Sequence, residues 1–202
     1  MGRPAKMTDT SVLDVTYALI WENGCDDVTI RNLEAALDLR APSIYRRFGS
    51  RDELLAAAID RYSERVVQGR ISRFLDGASN PLQGIREFFL SVVSAQRRGR
   101  SPRGCLLTAT SQQAAFAVAP IGEAVGRGLA LIEVALHRTL ERAVAQGSSF
   151  DVPIAELTSA LVQVFQGVLV VVRRGSDDLD TSVNIILDAL LGPIPSQGAS
   201  TT

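Results

Sequence analysis

Apolar residues recur every three or four positions along most of the chain, which is the spacing of an amphipathic helix. No alternating apolar and polar run is long enough to predict a strand. With its proline, glycine and capping signals, the pattern predicts an all-α protein of about nine helices. The clearest stripes are Val12, Val15 and Leu19, then Ile30, Leu33 and Leu37, then Ile121, Val125, Leu129 and Ile132.

Capping and breaking residues predict where several helices begin and end. Ser11 opens a candidate capping box for the first helix, and Asn23-Gly24 ends that helix. Thr29 is the predicted N-cap of the second helix, and Ser50 opens the fourth. A sixth helix is expected near residues 104–116. The fourth helix is predicted to bury Leu55, Ile59, Tyr62 and Val66.

The third helix is short and has two different sides. A helix of this length is unstable alone, so Ile44 and Phe48 are expected to bury against the first two helices. The opposite side carries Pro42, Tyr45 and Arg46, which suit the wall of a DNA groove. Three helices in under fifty residues, with a tight turn before the last, predict a helix-turn-helix unit.

Positive charge is concentrated around this third helix. The first 51 residues hold seven basic and seven acidic residues, so their net charge is zero. Residues 40–51 nevertheless contain four arginines and no acid, and residues 1–7 contain Arg3 and Lys6 and no acid. This distribution fits a phosphate-binding surface, with an ordinary solvated face as the alternative.

Pro42 indicates where the third helix starts. Proline is tolerated in the first helical turn and disfavours helical backbone at the residue before it. Ala41 is therefore the expected N-cap, and alanine offers no side-chain acceptor to the first N–H groups. Either a DNA phosphate or water would then satisfy those donors.

The stretch "VTIRNLEAALDLRAPSIYRRFGSRDELL" at residues 28–55, preceded by "ALIWENG" at 18–24, resembles the TetR family of transcriptional regulators. The opening "GRPAK" and "RGCLLT" at 103–108 are similar to a subset of that family with a basic N-terminal arm. The resemblance implies a homodimer whose third helices enter successive major grooves of operator DNA. It also implies a helical C-terminal domain that dimerises and binds an effector.

The resemblance further implies contacts to phosphates and to bases. Arg51 stands where the family usually has lysine, which keeps the charge but changes the geometry. Arg3 and Lys6 are either a minor-groove arm or a disordered tail. The implied phosphate contacts are Thr29, Ser43, Tyr45 and Arg51. The implied base contacts are Arg40, Pro42, Ser43 and Arg46. Ala41 and Arg47 complete the predicted DNA-binding set.

Two later helices are more apolar than one buried face requires. The eighth has two apolar stripes, so we expect one to pack in its own protomer and the other on a partner. A monomeric core is the alternative. The predicted dimer interface is Leu157, Leu161, Val164, Val168, Val171, Val183, Ile186 and Leu190. An effector pocket for an uncharged or weakly polar ligand is expected among Phe88, Phe89, Val93, Leu106, Thr110, Phe116, Leu129 and Phe165, each of which is plain core in the alternative.

The two cysteines, Cys25 and Cys105, lack the spacing of a metal site or a disulfide framework. Cys105 follows Arg103 near a predicted helix N-terminus, and both features lower a thiol pKa. It is therefore a candidate sensor of electrophiles or oxidants, with a small buried core residue as the alternative.

Other signals bear on compartment and chemistry. There is no apolar signal segment, and the apolar run near residues 160–172 looks too short to span a bilayer. No nucleophile elbow, phosphate loop or metal cluster is present, and Glu133, His137 and Glu141 are expected to pair as surface charges. We expect a cytoplasmic protein that is not an enzyme and has no cofactor or metal.

Together these features predict a ligand-responsive, DNA-binding transcriptional regulator, most simply a repressor released from its operator by a small effector. Residues 1–50 would form the helix-turn-helix domain with its arm, residues 51–192 the effector-binding and dimerisation domain, and residues 193–202 a flexible tail. Two alternatives stay open. One is a thiol-based repressor acting through Cys105, and the other is a helical small-molecule-binding protein or enzyme without DNA binding.

Overall fold

The computed structural model describes residues 7–97, 104–173 and 178–193. Within them every regular element is helical, and the predicted number of helices is confirmed. The first four are α1 (Asp9–Asn23), α2 (Ile30–Leu37), α3 (Ala41–Phe48) and α4, which runs without a break through Arg51–Tyr62, Ser63–Val67, Gln68–Ile71 and Ser72–Asp76. The others are α5 (Pro81–Arg97), α6 (Leu106–Thr110), α7 (Ala119–Ala145), α8 (Ile154–Val172) and α9 (Leu179–Leu191), with a 3-10 turn at Ala114–Ala117.

The capping residues explain most of the observed helix ends. Gly24 ends α1 with a positive φ of 92°, and Thr29 caps α2 by accepting the N–H of Asn32 at 3.2 Å, both as predicted. The start of α1 was predicted wrongly. Its N-cap is Thr8, which has extended backbone and whose hydroxyl accepts the N–H of Ser11 at 3.1 Å. The helix therefore begins at Asp9, earlier than predicted.

Two further predictions fail because the helical period is interrupted. Residues 63–67 of α4 form a π-helical turn, which adds one residue to a turn and shifts the buried face by one position. Val67 is therefore buried, whereas Val66, the predicted core residue, is only half-buried. The predicted sixth helix ends at Thr110, and a 3-10 turn follows in place of its second half.

The chain divides into two compact units. Unit 1 comprises Met1–Gly69 and Cys105–Leu131, and unit 2 comprises Arg70–Gly104 and Ile132–Thr202. These units do not follow the predicted division at residue 50, because α1 and α3 both pack on α4. The functional division into DNA-binding and effector-binding domains stays a prediction. Arg3 and Lys6 lie outside the described residues. So does the predicted tail, apart from its first residue, Pro193.

In unit 1, aromatic and charged contacts join α1 to α4. The ring of Tyr62 in α4 meets those of Tyr17 and Trp21 edge-on, with centroids 5.9 and 5.5 Å apart. Asp14 of α1 accepts a hydrogen bond from Arg61 of α4 at 3.0 Å. These contacts hold the helix-turn-helix segment on the first half of α4.

In unit 2, α5, α8 and α9 pack on one another. Arg86 of α5 is buried and donates to the carbonyl of Gly192 at 2.6 Å, just past the end of α9. The α8 helix (Ile154–Val172) extends beyond the apolar run considered above and is, by length and composition, long and apolar enough to cross a membrane. Only a third of its most apolar window is buried within the protomer.

Candidate nucleic-acid interface

The α3 helix is anchored on one side and exposed on the other. Ile44 is completely buried, and α3 contacts both α2 and α4. Phe48, which was expected to be buried, is only half-buried in the last turn of α3. Tyr45 is 44% exposed, and Pro42 and Arg46 are also exposed on the side away from Ile44. The exposed side is therefore the polar and cationic side that the periodicity predicts.

The N-terminal end of α3 has no free N–H group. Its N-cap is Arg40, not Ala41 as predicted, because helical backbone begins one residue earlier. The N–H of Ala41 donates to Glu34 Oε1 on α2 at 2.7 Å, and Pro42 has no N–H. The next two N–H groups both donate to the carbonyl of Arg40, at 2.8 and 3.2 Å. The expectation that Ala41 leaves donors open for a phosphate is therefore wrong.

Three exposed arginines around α3 have side chains that form no hydrogen bond or ion pair with any residue that the structure describes: Arg31, Arg40 and Arg46. Arg31 and Arg40 line the same open depression of about 390 Å³, together with Glu34 and Asp38. Arg31 was not among the predicted contacts. The signal that could have found it is its place in the first turn of α2, on the side away from Leu33. We call Arg31, Arg40, Arg46 and Tyr45 the α3 surface.

Arg47 belongs to the interior of the unit and not to this surface. Its Nε donates to Asp9 Oδ1 at 2.8 Å, and its Nη2 donates to the same carboxylate and to the carbonyl of Met7 at 3.1 Å. Only 14% of the side chain is exposed. The pair joins the end of α3 to the start of α1, and a direct DNA contact by Arg47 stays a prediction that would require this pair to break.

Thr29 and Arg51 build the connection between α1 and α2. The hydroxyl of Thr29 is occupied by the capping box of α2. Arg51 donates to the carbonyls of Val28 and Cys25, at 2.7 and 3.0 Å, and to Asp52. Its side chain is 28% exposed. Both side chains therefore stabilise the connection between α1 and α2. A phosphate contact by either residue stays a prediction.

The same connection is held from a second direction. Asp26 accepts the N–H groups of Ala114 and Ala115, at 3.1 and 2.7 Å, and so caps the 3-10 turn. Gln113 accepts the N–H of Cys25 at 2.7 Å. Burial raises the pKa of the Cys25 thiol to about 11, so this thiol is protonated at neutral pH.

Residues 12–58 match the model of the family described as bacterial regulatory proteins, tetR family. The HTH-type transcriptional repressor ComR of Escherichia coli (strain K12) is 21% identical over 179 residues, 87% of this chain and 84% of ComR. A solved tetR-type regulator from Streptomyces avermitilis is 25% identical, with a TM-score of 0.78 over 92% of this chain and 97% of that one. The N-terminal helix-turn-helix unit is therefore of the TetR-family type.

The similarity to solved TetR-family structures extends over both units. A cysteine-substituted variant of the TetR-family regulator CifR, solved with 26-bp operator DNA, is 22% identical. It has a TM-score of 0.79 and covers 96% of this chain and 100% of its own. The predicted all-α fold with an N-terminal helix-turn-helix unit is confirmed. The family match of residues 12–58, together with the similarity to ComR, supports a DNA-binding transcriptional regulator of the TetR type.

The predicted effector-lining residues do not all lie in one unit. Phe88, Phe89 and Phe165 form an aromatic cluster in unit 2, with Phe88 stacked on Phe165 at 4.8 Å. Val93 is buried in the same unit. Phe116 is 42% exposed on the 3-10 turn, which does not suit the wall of an enclosed pocket. The remaining predicted lining residues, all in unit 1, are Leu106, Thr110 and Leu129.

The predicted dimer residues separate into core and surface. Four of them are at most 6% exposed in the single protomer and are therefore core, which corrects their assignment: Leu157, Leu161, Val168 and Val183. Val164 and Leu190 are half-buried. Val171 and Ile186 are 38% and 39% exposed, and Ile185 beside them is 63% exposed. Spacing alone could not separate these groups, because both apolar stripes of α8 contribute to the protomer core.

Cys105 is the N-cap residue of α6 and is 8% exposed. The hydroxyl of Tyr62 donates to its Sγ at 3.7 Å. The predicted neighbour Arg103 lies outside the described residues. Among the residues described, no three His, Cys, Asp or Glu side chains are placed to hold a metal. His137 lies 3.6 Å from Glu141 and 3.2 Å from Thr158 Oγ1, which agrees with a surface charge pair.

Proposed function

We propose that this protein is a homodimeric repressor that binds operator DNA through the α3 surface and is released by a small, uncharged or weakly polar effector. The observation that carries the proposal is the set of three exposed, unpaired arginines beside Tyr45 on a TetR-family helix-turn-helix unit. A guanidinium without an internal partner can bind a phosphate or a base edge without breaking a hydrogen bond or ion pair within the protein. Pro42 is exposed on the same side and Ser43 is half-buried at its flank, and both complete the proposed base contacts.

Salt dependence of DNA binding tests the electrostatic part of this proposal. Three or four phosphates neutralised by each protomer correspond to a log–log slope of roughly −5 to −7 for a dimer. Fluorescence anisotropy with labelled duplexes from the DNA flanking the protein's own coding region, at several salt concentrations, measures this slope. A slope near zero would contradict binding through the α3 surface.

The dimer proposal rests on apolar residues left exposed on α8 and α9. Val171, Ile185 and Ile186 are large apolar residues that the protomer itself leaves exposed. Val171→Glu should give a monomer in sedimentation-velocity experiments, because it places a charge in the proposed interface. Val152→Glu is the matched control, since Val152 is 45% exposed in the segment before α8. Equal behaviour of the two variants would contradict this interface.

The effector proposal rests on the aromatic cluster of unit 2. Phe88, Phe89 and Phe165 offer stacking surface, and no charged group is needed to bind a neutral ligand there. A ligand that favours a helix arrangement unable to match the operator would release the protein by a population shift. Compounds that raise the melting temperature should therefore also weaken operator binding. Stabilising compounds that all leave operator affinity unchanged would count against release by an effector.

A second candidate function is a thiol-based response at Cys105. The observation in its favour is the hydrogen bond that the Tyr62 hydroxyl donates to the Cys105 Sγ at 3.7 Å. Iodoacetamide labelling near neutral pH tests it, with Cys25 as the internal unreactive thiol. Labelling of Cys105 no faster than a free thiol would remove this candidate.

A further inference from the structure

The start of α3 is capped by a residue from another helix. Arg40 is the N-cap and makes no side-chain hydrogen bond to the first turn. The acceptor comes instead from Glu34 of α2, whose Oε1 lies 2.7 Å from the backbone nitrogen of Ala41. Glu34 is half-buried and belongs to α2, seven residues before Ala41 in the sequence. This bond therefore fixes the first turn of α3 directly on α2.

This bond places a negative charge in the proposed DNA-binding surface. A carboxylate at a helix N-terminus is favourable to the helix dipole, so Glu34 stabilises α3 within the protein. Glu34 also lines the depression that contains Arg31 and Arg40, with Asp38 as the second acid. Two acids therefore offset two unpaired arginines at the point where a phosphate would approach the end of α3.

We propose that Glu34 is a specificity-determining residue of the DNA-binding surface. Its hydrogen bond fixes the direction in which α3 leaves the turn, and its charge opposes a phosphate at the end of the helix. The inference rests on the proposed function, because it presupposes that α3 binds DNA. The basic residues around Glu34 attract any DNA sequence. Glu34 is proposed to add discrimination against DNA of the wrong sequence.

The two effects act on different complexes. Non-specific binding is almost entirely electrostatic, so it rises when an acid is removed from the surface. Specific binding requires α3 to reach base edges in a defined orientation, so it falls when the cap is lost. Loss of Glu34 therefore lowers the ratio of specific to non-specific affinity, because the specific affinity falls while the non-specific affinity rises.

Two substitutions separate charge from geometry. Glu34→Gln keeps an oxygen acceptor for the N–H of Ala41 and removes the charge, whereas Glu34→Ala removes both. Glu22→Gln is the matched control, because Glu22 is exposed at the end of α1 and its loss changes the net charge equally. The probes are a random-sequence duplex of 26 base pairs, the length used for CifR, and a duplex of that length enriched by the wild-type protein from a random library.

At low salt, Glu34→Gln should bind the random duplex about fivefold more tightly, the effect of one like charge at contact distance in water. It should bind the enriched duplex with a smaller gain. Glu34→Ala should in addition bind the enriched duplex about fivefold more weakly, the cost of one lost helix cap. The Glu22→Gln control should stay within about twofold of wild type on both probes.

Random-duplex affinity of Glu34→Gln equal to that of the Glu22→Gln control would overturn the inference while leaving the proposed function intact. If the wild-type protein enriches no duplex at all, the proposed function fails and the inference fails with it. Circular dichroism and thermal melting verify that each variant is folded. If Glu34→Ala does not fold, Glu34→Gln alone decides, because it retains the hydrogen bond.

Discussion

Arg46 and Arg47 are adjacent and chemically identical, yet the structure predicts opposite consequences when each is replaced by alanine. Arg46 is exposed and has no partner among the described residues. Arg47 is 14% exposed and is hydrogen-bonded to Asp9 and to the carbonyl of Met7. Arg47→Ala should therefore reduce stability, and Arg46→Ala should reduce DNA affinity.

The size of the stability effect follows from the contacts that are lost. The Asp9 carboxylate is 70% exposed, so the ion pair contributes only about 0.2–1 kcal/mol. The hydrogen bond to the Met7 carbonyl adds about 1 kcal/mol, and the guanidinium 5.4 Å from the Phe48 ring adds roughly 0.5 kcal/mol. Arg47→Ala should thus lower the unfolding free energy by about 2 kcal/mol. Arg46→Ala should stay within about 0.5 kcal/mol of wild type.

The size of the binding effect follows from the proposed base contact. A well-made arginine contact to a base contributes roughly 1–3 kcal/mol of discrimination, or about fivefold to a hundredfold in affinity for each protomer. Arg46→Ala should therefore weaken binding to an enriched duplex much more than binding to a random one. If Arg46 contacts phosphate instead, both affinities fall together and the salt slope becomes smaller by about one for each protomer.

Urea denaturation and fluorescence anisotropy, run on both variants in one buffer, measure the two effects independently. Affinities are compared below the unfolding transition and corrected for active fraction, so that instability of Arg47→Ala is not read as weak binding. The reasoning is refuted if Arg46→Ala is the less stable variant, or if folded Arg47→Ala loses as much affinity as Arg46→Ala.

Three other predictions concern close packing, backbone geometry and pH. Gly128→Ala should lower the free energy of unfolding by about 1–3 kcal/mol, because an added Cβ would lie 2.5 Å from Ser63 Oγ. Gly126→Ala on the same helix is the control. Its added Cβ would meet nothing within 4 Å, so it should raise the free energy of unfolding by up to about 1 kcal/mol. Asp38→Gly should stabilise by roughly 1 kcal/mol in thermal melts, because Asp38 has a φ of 49°. The raised pKa of Cys25 should cost the wild type roughly 2–3 kcal/mol of stability between about pH 9 and 11 as the unfolded thiol ionises first, and Cys25→Ala should lack this loss in urea melts.

Local patterns predicted the side of α3 that is exposed, because the spacing of Ile44 and Phe48 is itself a local property. The errors arise from partners that are distant in sequence. Ala41 was predicted to be an open cap because its acceptor, Glu34, lies on another helix. The ion pair of Arg47 was likewise missed because its partner, Asp9, is 38 residues away.

The remaining errors have a different physical origin. A π-helical turn changes the phase of the helix without any glycine or proline to mark it, so Val66 and not Val67 was expected in the core. On α8 both apolar stripes were visible in the sequence. Spacing gives the faces of a helix but not what covers them, and Leu157 and Leu161 proved to be protomer core.

The structure also explains how a segment of zero net charge presents a cationic surface. Its acids are used on other groups: Asp9 on Arg47, Asp14 on two arginines of α4, and Asp26 on the backbone of the 3-10 turn. Asp9 and Asp14 are paired with arginines that are not part of the α3 surface, so these ion pairs add little net charge to the field there. Glu34 differs from them, because the group it binds is the first N–H of α3 itself, and together with Asp38 it remains beside Arg31 and Arg40. Sequence charge counts could not show this, because they weigh every acid equally, whereas the field at α3 depends on which acids remain beside Arg31, Arg40 and Arg46.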